Sequence, residues 1–308
     1  MQKKEFRIDT DQAGKRIDIL MSELSGLTRS QVRKLIEDDR LTVNSDRTKP
    51  NYKARNADIV CISFPEEEQE LVPEDLPVEV LFLDDFLIVV NKPPDMVVYP
   101  AAGHSNGTLM NAVAFHAKKL ASVGAPLRPG VVHRLDKDTS GVMVVALDDS
   151  AYYDLVEQFR SRTIDRRYRA IVFGNLKENS GTISSRIGRS ESDRKKMSTR
   201  SKRGKEAVTA WKVLERFQTA ALIEAKLGTG RTHQIRVHFA SIGHPVLGDR
   251  TYGSKTSIET NRRKITFPRQ MLHAEHLGFT HPGTGGRFEF SSPMPEDMDT
   301  KIKELRKV

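Results

Sequence analysis

His133-Arg134-Leu135-Asp136-Lys137-Asp138-Thr139-Ser140-Gly141 runs directly into Val142-Met143-Val144-Val145-Ala146. The first half crowds ionisable and hydroxyl side chains together. The second half belongs to a continuous apolar run, Gly141 to Leu147, with the β-branched character of a buried strand. A loop of reactive groups held by a rigid strand is a suitable place for chemistry. An isolated Asp-rich turn is ordinarily just solvated, so what decides the reading is the particular order of residues in this string.

Around this strand the chain reads as a mixed domain over residues 78–308. Val78–Leu83 and Phe86–Asn91 are strand-like and joined by Asp84-Asp85, which predicts a hairpin. Leu109, Ala112, Val113 and Leu120 have helical spacing over 107–120, and Leu155, Val156 and Phe159 give a further helix its apolar face. Tyr168–Phe173, Ala207–Leu214 and Ala220–Leu227 read as strands. Strand and helix do not alternate regularly, which argues against a doubly wound parallel sheet. The expected class is α+β, with a mixed, largely antiparallel central sheet and flanking helices.

Upstream, residues 64–77 form an acidic linker in which Pro65, Pro73 and Pro77 bracket Glu66-Glu67-Glu68-Gln69-Glu70. Residues 1–63 read as a small basic α/β domain. Ile17, Leu20, Met21 and Leu24 mark one helix face; Thr28 with Gln31 has the spacing of a capping box opening a second helix. That helix buries Val32, Leu35 and Ile36 and carries Arg29, Arg33 and Lys34 on its other faces. Leu41–Val43 and Ile59–Ile62 are β-like.

The 308 residues carry 50 Lys+Arg against 41 Asp+Glu, a formal charge of +9, which points to a polyanionic partner, nucleic acid first. The basic excess is densest from Arg186 to Lys205, where Arg189, Lys195 and Lys196 lie in what reads as a solvated loop that orders on RNA. Cys61 is the single cysteine, excluding an intrachain disulfide and a cysteine-rich zinc site. No apolar run reaches the length of a membrane span, and no apolar signal core follows Met1, so a cytoplasmic monomer is expected and the sequon Asn106-Gly107-Thr108 is read as chance.

His-Arg-Leu-Asp-x-x-Thr-Ser-Gly resembles the signature of the RluA family of pseudouridine synthases. Further blocks resemble that family in order: Asn91-Lys92-Pro93, then Tyr168 within Arg166-Arg167-Tyr168-Arg169-Ala170, then Gly230-Arg231-Thr232-His233-Gln234-Ile235-Arg236-Val237-His238, then Gly243-His244-Pro245 and Gly248-Asp249. The N-terminal domain resembles the αL RNA-binding motif of a small-subunit ribosomal protein. With Ile187-Gly188-Arg189 it is similar to the branch of the family acting on large-subunit ribosomal RNA, the D type.

The resemblance implies a pseudouridine synthase fold and an RNA uridine isomerase with Asp136 as catalytic carboxylate, Tyr168 against the uracil and Arg236 facing the aspartate. It also implies Ile235 in the base pocket and Arg134 entering the space a flipped base vacates. Arg29, Arg33, Lys34, Arg189, Lys195, Lys196 and Arg231 are expected to contact RNA, the expected partner being structured, large-subunit ribosomal RNA. Isomerisation breaks N1–C1′, turns the base and rejoins it through C5, so no cofactor, nucleotide or metal is expected. Asp136 can serve as nucleophile or as the base that removes a sugar proton.

Other classes fit less well. His-Arg-Leu-Asp differs in order from the kinase His-Arg-Asp, and no Asp-Phe-Gly follows. Gly228-Thr229-Gly230-Arg231-Thr232 lacks the Lys of a P-loop. A metal nuclease using Asp136, Asp138 and Asp148 would have ligands separated by apolar residues. His273-x-x-His276 has helical ligand spacing but no clear third ligand. A non-catalytic RNA-binding assembly factor is the alternative from another class, and the intact Asp136, Tyr168 and Arg236 set argues against it.

Overall fold

The computed structural model describes residues 2–64, 70–101, 104–191, 193, 196–260 and 264–307. The chain divides into two compact units, Met1–Glu68 and Gln69–Val308. In the first, β1 (Gln2–Arg7), α1 (Ile17–Ser25), α2 (Arg29–Glu37), β2 (Leu41–Val43), β3 (Asp46–Arg47) and β4 (Ile59–Phe64) give a sheet of order β1-β4-β2-β3. The capping box at Thr28 is complete, its hydroxyl accepting from the Gln31 N–H and the Gln31 side chain accepting from the Thr28 N–H. Ile17, Leu20, Met21, Val32 and Ile36 bury one face of each helix against Val60 and Ile62 of the sheet. This burial sustains two nine-residue helices that would be marginal alone.

The second unit opens with β5 (Glu79–Leu83), β6 (Leu87–Lys92), α3 (Leu109–His116), β7 (Ser140–Ala146), α4 (Asp149–Ser161) and β8 (Asp165–Phe173). Then follow β9 (Ser180–Arg189), β10 (Met197–Ser198), β11 (Lys205–Arg216), β12 (Ala220–Leu227), α5 (Gln234–Ser241), β13 (Ser257–Glu259) and β14 (Lys264–Thr266). The last elements are β15 (Leu272–Thr280), β16 (Arg287–Ser291) and α6 (Glu296–Leu305). Among the described residues one ten-stranded sheet has the order β10-β9-β11-β12-β8-β15-β7-β6-β5, with β16 also on β15. Every pairing in it is antiparallel except β15 with β7.

The continuous apolar run is explained by β7 being buried on both faces. Met143 and Val145 join α3, β8 and α5 in one core, while Val142, Val144 and Ala146 pack with Ala151 and Leu155 of α4 in another. Ile171 and Leu222 meet Met298, Ile302 and Leu305 of α6 in a third.

Several local readings change. The helix expected over 107–120 stops at His116 because Ala117 turns extended, φ −92° and ψ 133°, and Leu120 reaches the core from beyond it. The 186–205 excursion includes strand: Met197 and Ser198 pair back on Arg189 and Gly188, and Lys205 opens β11 opposite Ile187. Buried Ile187 packs with Ala207, Val237 and Tyr252 and Met197 leans on them, an anchor the surrounding charge conceals. His273 and His276 lie on β15, and each has a hydrogen-bonding neighbour, Ser140 and Ser291 respectively. Of the acidic segment, 65–69 lies outside the described residues, whereas Leu71 and Leu76 pack on the second unit and Val72 accepts from Asn111 Nδ2 at 2.7 Å.

Gly141 carries the one parallel junction, opposite Ala274, at φ 120°. A Cβ there would sit 2.2 Å from the Ala274 carbonyl oxygen. Gly141→Ala should therefore lower stability by about 3 kcal/mol or more, through strain and collision together. Chemical denaturation of the purified variant checks this; an unchanged midpoint and slope would contradict it.

Candidate active site

Asp136 lies in a tight turn before β7, closed by the Thr139 N–H donating to the Asp136 carbonyl at 3.0 Å. The turn is gripped from behind by side chains distant in sequence. Lys92, fully buried, donates to the carbonyls of Lys137 (3.0 Å), Pro93 (2.7 Å) and Met96 (2.8 Å). Its three donors are all satisfied, although burial, reinforced by the charge of Arg269, pulls the ammonium down to about 7. Arg269 donates to the Asp138 carbonyl at 2.9 Å and forks onto Asp297, and Gln270 Nε2 donates to the Thr139 hydroxyl at 2.7 Å.

The facing wall is the loop before α5. The Gln234 carbonyl oxygen accepts from the Thr229 hydroxyl (2.7 Å) and the Arg231 N–H (2.9 Å), while its amide donates to Val208 O and Thr209 Oγ1. His233, at φ 57°, turns the chain into α5. One turn into the helix Arg236, 6% exposed, reaches Asp136 Oδ2 with Nη1 at 2.7 Å. The same guanidinium forks onto fully buried Asp249 through Nε (2.7 Å) and Nη2 (3.0 Å). Asp249 is held in turn by the N–H groups of Thr251 and Tyr252.

Burial alone would lower the Arg236 pKa. The hydrogen bonds and charges of Asp249 and Asp136 outweigh it and raise the group further above its ordinary value. The other oxygen of Asp136, Oδ1, has His233 Nε2 at 3.6 Å, beyond a normal hydrogen bond. Burial pushes the His233 ring towards its neutral form. His233 Nδ1 and the Tyr252 hydroxyl are 2.7 Å apart, and that hydroxyl also accepts from the Met197 N–H.

These walls enclose a cleft of about 670 Å3 lined by Asp136, Tyr168, Arg236, Arg134, Ile235 and Arg231 among others. Sequence-expected residues from three separate blocks are thus brought to one place. Tyr168 is buried, and burial raises its pKa, so its hydroxyl stays protonated. Ile235 is 4% exposed. Arg134 is exposed, its guanidinium 5.9 Å from the Tyr99 ring centroid and within hydrogen-bond reach of that hydroxyl at 3.3 Å. Arg231 Nε donates to the Glu206 carbonyl at 3.0 Å.

The other basic residues lie elsewhere. Arg29 and Arg33 of α2 both donate to fully buried Asp18, at 3.0 and 3.1 Å, with about half of each side chain exposed. Burial would raise the Asp18 pKa, but Arg16, Arg29 and Arg33 together bring it well below the carboxylate range. Lys34 is exposed on the same helix. Arg189 ends β9, and Lys196 faces Asp193 at 3.7 Å just before β10. Lys195 lies outside the described residues.

Sequence reading assigned no role to Asp249, Lys92, Gln234 or Tyr252. The Gly248-Asp249 pair was visible, but nothing in its spacing tied it to an arginine thirteen positions earlier. Among the described residues no group of three or more His, Cys, Asp or Glu side chains is gathered for a metal, and no helix is long and apolar enough to cross a membrane.

A carboxylate bonded to a buried guanidinium lies in an arginine-rich cleft large enough for a nucleotide, an arrangement suited to carboxylate chemistry on a unit of a polyanion. The family model described as RNA pseudouridylate synthase matches residues 86–241, and that of the S4 domain matches 15–60. An RNA pseudouridine synthase of Bacillus subtilis, YlyB, is 43% identical over 100% of this chain and 99% of its own. The ribosomal large subunit pseudouridine synthase D of Zymomonas mobilis is 41% identical, over 99% of this chain and 98% of its own. Human RNA pseudouridylate synthase domain containing 1 shares the fold at a TM-score of 0.54 and 26% identity, covering 80% of this chain and 98% of that one. The chain belongs to the RNA pseudouridylate synthase family and carries an N-terminal S4 domain; it is an isomerase of RNA uridines.

Arg236 serves two carboxylates with one planar fork, which an ammonium cannot do. Arg236→Lys, which keeps the charge, should still lower the single-turnover rate by about 10²-fold through misplacement of Asp136. Wild-type turnover by this variant would show that charge alone suffices.

Proposed function

We propose that this chain converts uridines of large-subunit ribosomal RNA to pseudouridine, with Asp136 as the group that carries the chemistry. The observation behind the assignment is the division of labour on its carboxylate: Oδ2 is bonded to Arg236 at 2.7 Å, and Oδ1 is left for the substrate. As nucleophile, Oδ1 would bond C1′ as the N1–C1′ bond breaks; as base, it would take a sugar proton. The base then turns and C5 bonds C1′, as the Oδ1–C1′ bond breaks on the first route or as the proton returns to the sugar on the second; in both the C5 proton departs and N1 gains one. Atoms and electrons balance without a redox partner, so the reading includes no cofactor.

Tyr168 offers its ring to the uracil and Ile235 packs beside it. A base inside a stacked helix is out of reach, so extrusion at about a few kcal/mol precedes the chemistry, with exposed Arg134 filling the gap. Arg231 at the cleft, Arg29, Arg33 and Lys34 on the S4 domain, and Arg189 and Lys196 on the β9–β10 hairpin would hold the RNA backbone. Lys195 was grouped with them on sequence alone. The ribosomal target is supported by the names of relatives about 40% identical over nearly the whole chain. A monomer acting in the cytoplasm completes the reading.

Asp136→Asn is near-isosteric but no longer an anionic nucleophile or base. It should abolish pseudouridine formation in a transcript of the large-subunit RNA while leaving affinity within a few-fold. Pseudouridine mapping in ribosomal RNA from cells with and without the gene identifies the sites. Turnover by Asp136→Asn near the wild-type rate would sink the catalytic assignment, and identical maps would sink the ribosomal one.

A further inference from the structure

Arg166 breaks the rule that the rest of its strand obeys. Side chains on β8 alternate between faces. On one face every charge is partnered: Arg167 bonds Asp165, Arg169 meets Glu224 and Glu275, and Lys226 of β12 reaches Asp165. On the other face, two positions from Tyr168, Arg166 is 7% exposed and has no hydrogen bond or ion pair among the described residues, its Nε fully buried and unpartnered. Its guanidinium lies 5.2 Å from the Phe159 ring centroid, a contact that offsets only part of the cost of burying a charge.

Among the described residues the surroundings offer no internal anion. His133 is next to it, but His133 Nε2 accepts the Val144 N–H at 3.1 Å, so its ring is neutral with Nδ1–H as a second donor. Burial, with the Arg166 charge, takes the His133 pKa down to about 3. Tyr168 keeps its proton. Among the described residues Asp136 is the one acid lining the cleft and is already bonded to Arg236. At Gly230 the chain approaches so closely that a Cβ would lie 2.7 Å from Arg166 Nη1, so the glycine is what admits the guanidinium to the cleft wall. The other arginines of the cleft are partnered or exposed; among the described residues that line it, Arg166 alone is a buried arginine without an anion.

We propose that Arg166 binds a phosphodiester of the substrate strand beside the extruded uridine, the substrate supplying the anion that the fold withholds. The inference rests on the cleft being the uridine site. It makes Arg166 a binding residue whose contact forms only once the nucleotide enters, so its energy favours the extruded state over the stacked one. A guanidinium is suited to this because its fork matches two phosphate oxygens.

The test uses the full chain and a large-subunit RNA transcript, comparing wild type with Arg166→Met and Arg166→Lys. Removing an uncompensated buried charge should leave the melting temperature of free Arg166→Met equal to or above wild type. Its RNA affinity should fall, and the slope of log K against log salt should shrink by about 0.7 to 0.9, the value of one phosphate contact. Arg166→Lys should keep the wild-type slope. A melting temperature several degrees lower for Arg166→Met would mark the residue as structural and overturn the proposal. Lost affinity at an unchanged slope would mean a neutral contact, such as a base carbonyl, and would overturn it equally. The slope is read from binding, so its failure is distinct from failure of the catalytic reading, which would appear as wild type making no pseudouridine.

Discussion

One guanidinium, buried between two carboxylates, fixes the relation of the sheet to the helix that faces it. Arg236 bonds Asp249 through two nitrogens and Asp136 through the third. Removing one partner from such a buried group typically costs about 3–5 kcal/mol, because the other charge is left uncompensated. The β7 turn, α5 and the loop after it therefore cannot shift independently. Asp249 is fully enclosed and tied to two backbone N–H groups, so it is the fixed end of the clamp, and Asp136, the more exposed partner, is the end that lines the cleft.

What anchors the clamp is a set of buried polar groups whose valences are filled. Lys92 places all three donors on carbonyls, one of them in the Asp136 turn. Arg269 spans the next residue of that turn and Asp297 of α6, and Gln234 closes the loop opposite. A fully satisfied polar network rigidifies what it joins. Two loops become a preorganised site because each is bonded to regular structure behind it, and little reorganisation is left for the reaction step.

The parts of this fold legible in the sequence were those with local signals. The β7 strand, the α2 capping box and the β5–β6 hairpin each follow from neighbouring residues, and ordered motif blocks brought Asp136, Tyr168 and Arg236 together by resemblance. The ten-stranded order was not legible, since it depends on β15, whose histidines and glycine hide an otherwise buried strand. The β9–β10 hairpin was read as loop because dense Lys and Arg obscured Ile187 and Met197, the two residues that hold it down. Asp249 escaped because the partner of a buried arginine is set by tertiary geometry, and no spacing rule reports it.

The same logic separates charges that build the protein from charges that meet the substrate. Around Asp18 three arginines gather on one buried carboxylate, so that Arg29 and Arg33 are held in one orientation while half of each stays exposed, as the proposed RNA contact would require. Immobilising them in advance reduces the side-chain entropy still to be lost on binding. In the cleft the arrangement is inverted: arginines converge with one aspartate among them, and one oxygen of that aspartate is unclaimed. Native interiors rarely leave polar groups unpaired, and the exceptions concentrate where a ligand completes them. The unfilled valences at Asp136 and Arg166 lie in the same cleft, which Tyr168 also lines, and under the proposed function a nucleotide completes both: its sugar at the carboxylate and its anionic backbone at the guanidinium.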